Sequence, residues 1–260
     1  MIIFVLAMKK IVMIFAAALL VAGTASCIQI NGLPFQIVRG NGVQVEQVID
    51  AHDFNDIEVV GSMDVVFTQG PESVVLTADE NLVEYYVIEA SDGSLKITSK
   101  RGYTLMHKAK TFVAVSAPDL TKVRIAGSGD CDIQGDLLLE GDLALRISGS
   151  GDIETGRVVC KDFSAKIAGS GDIEAEAIEA GDVQLSISGS GDIDVEAVTA
   201  SAVSIGISGS GDAAIGCKDA GDVSARISGS GSVRLWGSAT SLDSHVSGSG
   251  RVNSRDLELK

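Results

Sequence analysis

The chain has 260 residues, a formal net charge of −15, 45 % hydrophobic residues, only 4 % aromatics and 30 glycines. That hydrophobic share excludes a disordered chain. The acidic balance argues against a nucleic-acid or anionic-membrane surface, which would need Lys and Arg to neutralise phosphate. An interior drawn from Ile, Val, Leu and Ala suits a narrow, regular core, in one large domain or two small ones.

The N-terminus carries an export signal. Met8-Lys9-Lys10 precedes an unbroken apolar run, Ile11 to Val21, and small residues follow from Ala22 to Ser26. These are the three regions of a secretory signal, and Met8 fits best as its start. The apolar core is short of the ~20 residues that a membrane span needs. Thr24-Ala25-Ser26-Cys27 resembles a lipobox, with Thr where Leu is usual. Residues 1–27 therefore read as a lipoprotein-type signal peptide, with Cys27 lipidated as the mature N-terminus and tethering the chain to a membrane. Their removal takes away Lys9 and Lys10 and leaves a net charge of −17. The other three cysteines, Cys131, Cys160 and Cys217, are an odd number at irregular places and form no disulfide framework. Cys131 stands where other repeats carry Ile, as a small core residue.

Residues 28–45 read as a short linker. Residues 46–126 are rich in strand patterns with a blurred period, and form the irregular N-terminal part of the fold. Gly61-Ser62-Met63-Asp64 looks like a degenerate copy of the later repeat. Turns are expected at Gln69-Gly70-Pro71 and Ser91-Asp92-Gly93, and a short helical turn or loop at Asp79 to Tyr86. With Tyr85, Tyr86 and Phe112, this segment would cap the end of the repeat array.

From residue 127 to 260 the pattern becomes regular. Gly-Ser-Gly recurs at 127, 149, 169, 189, 209, 229 and 248, in steps of 22, 20, 20, 20, 20 and 19. A fixed period near twenty is the mark of a solenoid. Val183, Leu185 and Ile187 alternate with polar neighbours, as do Ile193 and Val195, and a period of two means strand. The expected architecture is all-β: a parallel β-helix or solenoid with ~20-residue coils. The length allows about eleven or twelve coils, a rod of about 55 Å. In this register the glycines of Gly-Ser-Gly fall on inward positions and mark a corner, where backbone must bend or approach closely.

An ordered set of short motifs carries a resemblance. Phe54-Asn55-Asp56-Ile57-Glu58-Val59, Gly61-Ser62-Met63-Asp64-Val65, Gln69-Gly70, Ala78-Asp79-Glu80-Asn81-Leu82, Asp92-Gly93-Ser94-Leu95, Ala117-Pro118-Asp119-Leu120 and Gly127-Ser128-Gly129-Asp130 follow one another as in the GIN-domain family. The chain resembles this family of autotransporter-adhesin head domains over roughly residues 50–235. The resemblance implies a single-stranded, right-handed β-helix and a bacterial envelope lipoprotein, and brings no ligand or catalytic residue with it.

If coils stack in register, Asp130, Asp152, Asp172, Asp192 and Asp212 form one column. Carboxylates ~4.8 Å apart repel by only about 0.9 kcal/mol in water. The column reads either as a cation-binding strip, with Ca²⁺ bridging carboxylates, or as Asp bonding nearby backbone N–H groups at a turn; the second is the expectation. No other metal or cofactor is implied. Arg124, Arg146, Lys166, Ser186, Gly206, Arg226 and His245 form a broken basic column of solvated charge. Ser128, Ser150, Ser170, Ser190, Ser210 and Ser230 form a serine column at the corner.

The acids repeat rather than stand apart as a catalytic pair, and His52, His107 and His245 show no metal or triad spacing. The function expected is therefore a non-catalytic adhesion, binding or scaffold role for an exported protein, lipid-anchored in the cell envelope, with the outer membrane the expected site. Its partners would be the membrane, through the N-terminal lipid, and a protein or glycan ligand, with no nucleic acid. Two alternatives stand beside it: a carbohydrate-active β-helix enzyme, a polysaccharide lyase or hydrolase, and a self-assembling homo-oligomer. Binding is expected where the repeat fails, in 66–120 or near Trp236.

Overall fold

The structure, a computed structural model, describes residues 26–30 and 33–260. The signal-peptide reading falls almost wholly outside the described residues, and so does the Cys27 side chain.

The chain winds into a parallel β-solenoid of about seven turns with ~20-residue coils. One coil shows the logic. Strand Leu143–Gly149 runs to the corner Gly149-Ser150-Gly151, strand Ile153–Val159 leads away from it, and Phe163–Gly169 begins the next coil. Each coil pairs in parallel with the next, Ile147 beside Ile167 and Ile153 beside Ile173. The upstream face comprises strands that precede Gly-Ser-Gly. The downstream face follows the corner, and a short third side closes the coil through Val158, Ile178 and Val198.

Alternation decides which side chains fill the interior. Val183, Leu185 and Ile187 are buried, as are Ile193, Val195 and Val198. Ile125, Ile147, Ile167, Ile187, Ile207 and Ile227 stack directly over one another on the upstream face. One coil alone leaves its apolar side chains half covered, so stability comes from neighbours. On the downstream face Ile153, Ile173 and Ile193 stack likewise, and Cys131 takes the place of Ile at the start of that column, buried beside Ile153.

The corner glycines have a steric reason. A Cβ on Gly149, whose φ is +145°, would lie 2.1 Å from the carbonyl oxygen of Gly127 in the coil before. On Gly151 it would lie 2.0 Å from the Gly129 oxygen. Coils approach so closely here that a side chain would strike neighbouring backbone.

The first half corrects the coil count. Gly61 sits directly beside Gly127 in the ladder, and of residues 62–121 only Ser94–Ser99 and Phe112–Ala117 add a parallel rung, against Asp56–Gly61 and Val65–Gln69. Around that rung the segment also turns back on itself. Tyr86–Ser91 runs antiparallel to Ser94–Ser99, and Phe112–Ala117 runs antiparallel to Ser73–Asp79. Seven turns at ~4.8 Å span about 34 Å, against the 55 Å expected. The stretch Glu80–Tyr85 is a 3₁₀ turn, as its sequence suggests. Within the stretch read as linker, Leu33–Arg39 is a strand lying parallel to Tyr103–Met106.

Asp79 ties this end together. It is buried, and its carboxylate accepts backbone N–H groups from Gly42, Lys108 and Ala109 at 2.6, 3.0 and 3.1 Å. Burial alone would raise its pKa, but the three N–H donors outweigh it and hold the group below the usual carboxylate range.

Candidate functional site

The Asp column is built as the register requires, and its oxygens have work. Oδ1 of each residue accepts the backbone N–H of the equivalent residue one coil on. Asp130 serves Asp152 at 3.0 Å, Asp152 serves Asp172 at 2.8 Å, and Asp172 serves Asp192 at 2.7 Å. Asp192 serves Asp212 at 2.7 Å, and Asp212 serves Ser232 at 2.6 Å. Asp64 begins the run by accepting from Asp130 at 3.1 Å. Sequence reading missed Asp64 as a member, because 66 residues separate it from Asp130. Among the described residues, no group of three or more His, Cys, Asp or Glu is placed to hold a metal ion.

The more informative acids lie two residues further on. Asp132, Glu154, Glu174 and Asp194 stack as an outward column on the downstream face. Strand parity then turns one residue inward, and Glu176 and Glu196 follow as a second outward column. These residues line an open groove of about 820 Å³. Gly135 and Gly156 stand at one end without side chains to fill it, and a Cβ on Gly156 would come within 3.1 Å of the Gly135 oxygen. Trp236 closes the other end, beside Gly216. A Cβ on Gly216 would meet the Glu196 oxygen at 1.9 Å and the Trp236 ring nitrogen at 2.8 Å, so glycine allows the indole to lie close. The Arg234 guanidinium stands over the indole at 5.6 Å.

The groove concentrates uncompensated negative charge. Arg157 bonds Glu179 at 3.0 Å and approaches Asp136 at 3.6 Å on the rim. Among the described residues, Asp132, Glu154, Glu174, Glu176, Asp194 and Glu196 take part in no ion pair. Partial burial, and then the charges of Glu154, Asp194, Asp172 and Asp152, raise the pKa of Glu174. Partial burial, and then Asp192 and Asp172, raise that of Asp194. A surface that strains its own ionisation in this way favours cations.

The upstream face has the opposite character. Arg124, Arg146, Lys166, Ser186, Gly206, Arg226 and His245 stack as one column. Arg124 pairs with Glu58 at 3.3 Å and Arg226 with Asp243 at 3.1 Å. Ser128, Ser150 and Ser170 are exposed at the corner between the faces.

The histidines lie apart from the groove. His52 lies on the surface between Asp50 at 3.0 Å and Glu72 at 3.4 Å. His107 bonds the Tyr86 hydroxyl at 2.6 Å beside a cavity of about 210 Å³.

Residues 53–238 match the profile of the family described as "Putative auto-transporter adhesin, head GIN domain". The chain belongs to this GIN-domain family. No curated protein matches it in sequence. Among solved structures it is similar to a "putative lipid binding protein" from Parabacteroides distasonis, with 25 % identity, a TM-score of 0.71, and coverage of 84 % of this chain and 98 % of that one. It is similar to a "putative adhesin" from Parabacteroides merdae at 26 % identity and TM-score 0.65, covering 86 % and 99 % of the two chains. A "putative adhesin" from Bacteroides fragilis shares the fold at 21 % identity and TM-score 0.73, over 83 % and 99 %. The family description points towards adhesion and an exported envelope protein, and the names of the two structures at 25 % and 26 % identity point towards adhesion or binding.

Proposed function

We propose that the chain is a non-catalytic adhesion protein of the cell envelope, held in the outer membrane by lipid on Cys27, and that it binds a basic protein surface through the acidic groove. The observation that carries the binding reading is the pair of carboxylate columns, Asp132 to Asp194 and Glu176 to Glu196, lining a groove without neutralising partners. A long face of one charge sign draws in a cationic partner and repels anionic glycans and phospholipid headgroups. Trp236 at the groove's end adds a flat apolar surface of the kind enriched at protein contacts. The family description supports adhesion over turnover.

The test has two arms. Palmitate labelling in cells, with Cys27→Ala as control, and protease treatment of intact cells read anchoring and exposure. Label that persists in Cys27→Ala sinks the anchor. Binding of a fluorescent oligolysine peptide to the mature chain reads the groove. The triple variant Glu154→Gln, Glu174→Gln, Asp194→Asn should weaken that binding at least tenfold at low salt, while wild-type binding should fall steeply as salt rises. Equal binding by both proteins, or turnover of a polysaccharide by the purified chain, overturns the reading.

A further inference from the structure

The first coil is backed by an incomplete one. Ser94–Ser99 pairs with Asp56–Gly61 and Phe112–Ala117 with Val65–Gln69, but the chain between those two outer strands makes no corner. Lys100 gives its N–H to the Tyr85 carbonyl instead, and the chain departs to form strand Tyr103–Met106. The missing corner shows in the glycines. A Cβ on Gly127 would strike the Gly61 oxygen at 2.0 Å, whereas one on Gly61 would meet nothing within 4 Å. Met63 stands in the register of the second corner glycine, since a Cβ on Gly129 would lie 2.1 Å from its oxygen. Every later copy has glycine at that place. Met63 fits because no earlier backbone occupies the space that a side chain needs. The room left at this corner is the cavity of about 210 Å³ beside Tyr86 and His107.

The lining of this cavity has a definite chemistry. Six of its ten residues carry a hydroxyl: Ser62, Tyr86, Thr98, Ser99, Tyr103 and Thr104. Val60, Met63 and Leu105 add apolar surface, and none of the ten is Asp, Glu, Lys or Arg. The rings are held from outside the cavity or by one another. Tyr85 packs edge-on against Tyr103 with centroids 4.8 Å apart, and the Tyr86 hydroxyl bonds Nε2 of His107 at 2.6 Å. An anionic group would find no counter-ion in this lining, and an acyl chain would strip water from hydroxyls without replacing it. The volume lies below the ~300–1,000 Å³ of sites for drug-sized molecules, so it suits one small ring.

We propose that this cavity is a second binding site, separate from the acidic groove, and that it takes a single neutral sugar ring at the end of a glycan. A pyranose has C–H faces that pack on aromatic rings and a rim of hydroxyls that both donate and accept. The Tyr86 and Tyr103 rings offer the aromatic surface. Ser62, Thr98 and Thr104 offer hydroxyls that take either role, and the Tyr86 hydroxyl keeps a lone pair while bonded to His107. The cavity and the acidic groove share no lining residue. A neutral sugar therefore meets no part of the surface that repels anionic glycans. The segment 66–120, where the repeat fails, supplies Tyr86, Thr98, Ser99, Tyr103 and His107 to this site.

Saturation-transfer NMR on the mature chain carrying Cys27→Ala tests the site. The probes are the methyl glycosides of glucose, galactose, mannose and N-acetylglucosamine, with glucuronic acid as the charged control. At least one neutral glycoside should bind with a dissociation constant of about 1 mM, and glucuronic acid should bind at least tenfold more weakly. Tyr103→Ala removes a ring and should weaken binding about tenfold or more, and Tyr86→Phe removes one hydroxyl and should weaken it about threefold. Ser62 is exposed at the cavity. Ser62→Phe therefore fills the site without removing a core contact, and it should abolish binding at an unchanged melting temperature. That variant carries the test if Tyr103→Ala fails to fold. The groove variant Glu154→Gln, Glu174→Gln, Asp194→Asn should bind the sugar as wild type does, so the two sites stand or fall separately. Saturation transfer to none of the four glycosides, equal binding of glucuronic acid, or sugar binding that survives Ser62→Phe overturns the proposal.

Discussion

Oδ1 of Asp172 accepts the backbone N–H of Asp192 across 2.7 Å, one coil to the next. The same bond recurs from Asp64 to Ser232, so the most conspicuous acids of the sequence act as fasteners between coils. Asp172→Ala removes an acceptor and should cost about 1 kcal/mol in urea unfolding. Asp172→Asn keeps an oxygen acceptor and relieves like-charge repulsion, so it should stay near wild type. The cation-strip alternative requires the reverse pattern: a melting temperature raised by Ca²⁺ and a rise abolished by Asp172→Asn. Melts with Ca²⁺ and with chelator decide between them, and no difference is expected.

Glycine tolerance should depend on the approach of the next coil and not on burial as such. Gly151 has room for no side chain, since a Cβ there lies 2.0 Å from the Gly129 oxygen and 3.1 Å from the Ile125 methyl. Gly151→Ala should lower stability by about 3 kcal/mol, with backbone on one side and core on the other leaving little to relax. Gly206 sits in strand Ala202–Gly209, and a Cβ there meets nothing within 4 Å. Gly206→Ala should raise stability by about 0.5–1 kcal/mol, since alanine loses less backbone freedom on folding. Urea denaturation of the two variants beside wild type measures both effects.

The repeats were legible because parity and period agree in every coil from residue 127 onward. Each inward Ile stacks on another, and nothing competes with the parallel ladder. The first half resisted for a physical reason. Val75 and Val87 alternate as any strand residues do, and alternation does not state direction, so the antiparallel returns Ser73–Asp79 and Tyr86–Ser91 look like further coils. The acidic groove was hidden for a different reason. Glu154, Glu174 and Asp194 differ in identity, and their neighbours Gly156, Glu176 and Glu196 differ more. Only stacking shows that they form two columns with a gap between them. Gly-Ser-Gly drew attention because it recurs unchanged in all seven copies, and its glycines recur because backbone packs against them. Of the two places where the repeat fails, Trp236 borders the groove, whereas the segment 66–120 does not line it.

The three interior thiols should be chemically silent in the folded chain. Burial pushes the Cys131 thiol up to about 12 and the Cys160 thiol up to about 11, and it raises Cys217 as well. The thiolate is the reactive form, so both access and ionisation oppose alkylation. Mass spectrometry after iodoacetamide treatment should find these three cysteines unmodified in buffer at neutral pH and all modified in concentrated urea. Modification of Cys131 at a rate matching that of a free thiol would contradict its place beneath Ile153.

Stability should peak at mildly acidic pH, through two opposed sets of carboxylates. Glu174 and Asp194 titrate above their ordinary values in the folded chain, first through burial and then through neighbouring charge. The folded state therefore holds more protons than the unfolded state over that raised window. Stability from these groups falls as pH rises through it and returns on acidification. Asp79 has the opposite sign, because three backbone N–H groups favour its charged form. Its contribution is complete above the ordinary value of 3.8 and is lost as pH falls through that value towards the lower folded one. Urea midpoints should thus rise on acidification through the raised window of Glu174 and Asp194, and fall as pH drops through the ordinary value of 3.8 for Asp79. Glu174→Gln with Asp194→Asn should flatten the first limb by stabilising the protein at pH 7. Asp79→Asn should flatten the second limb and lower stability at pH 7 by about 2 kcal/mol, since a charged acceptor is replaced by a neutral one. An unchanged upper limb in the groove variant would mean that the columns are fully solvated and carry no strain.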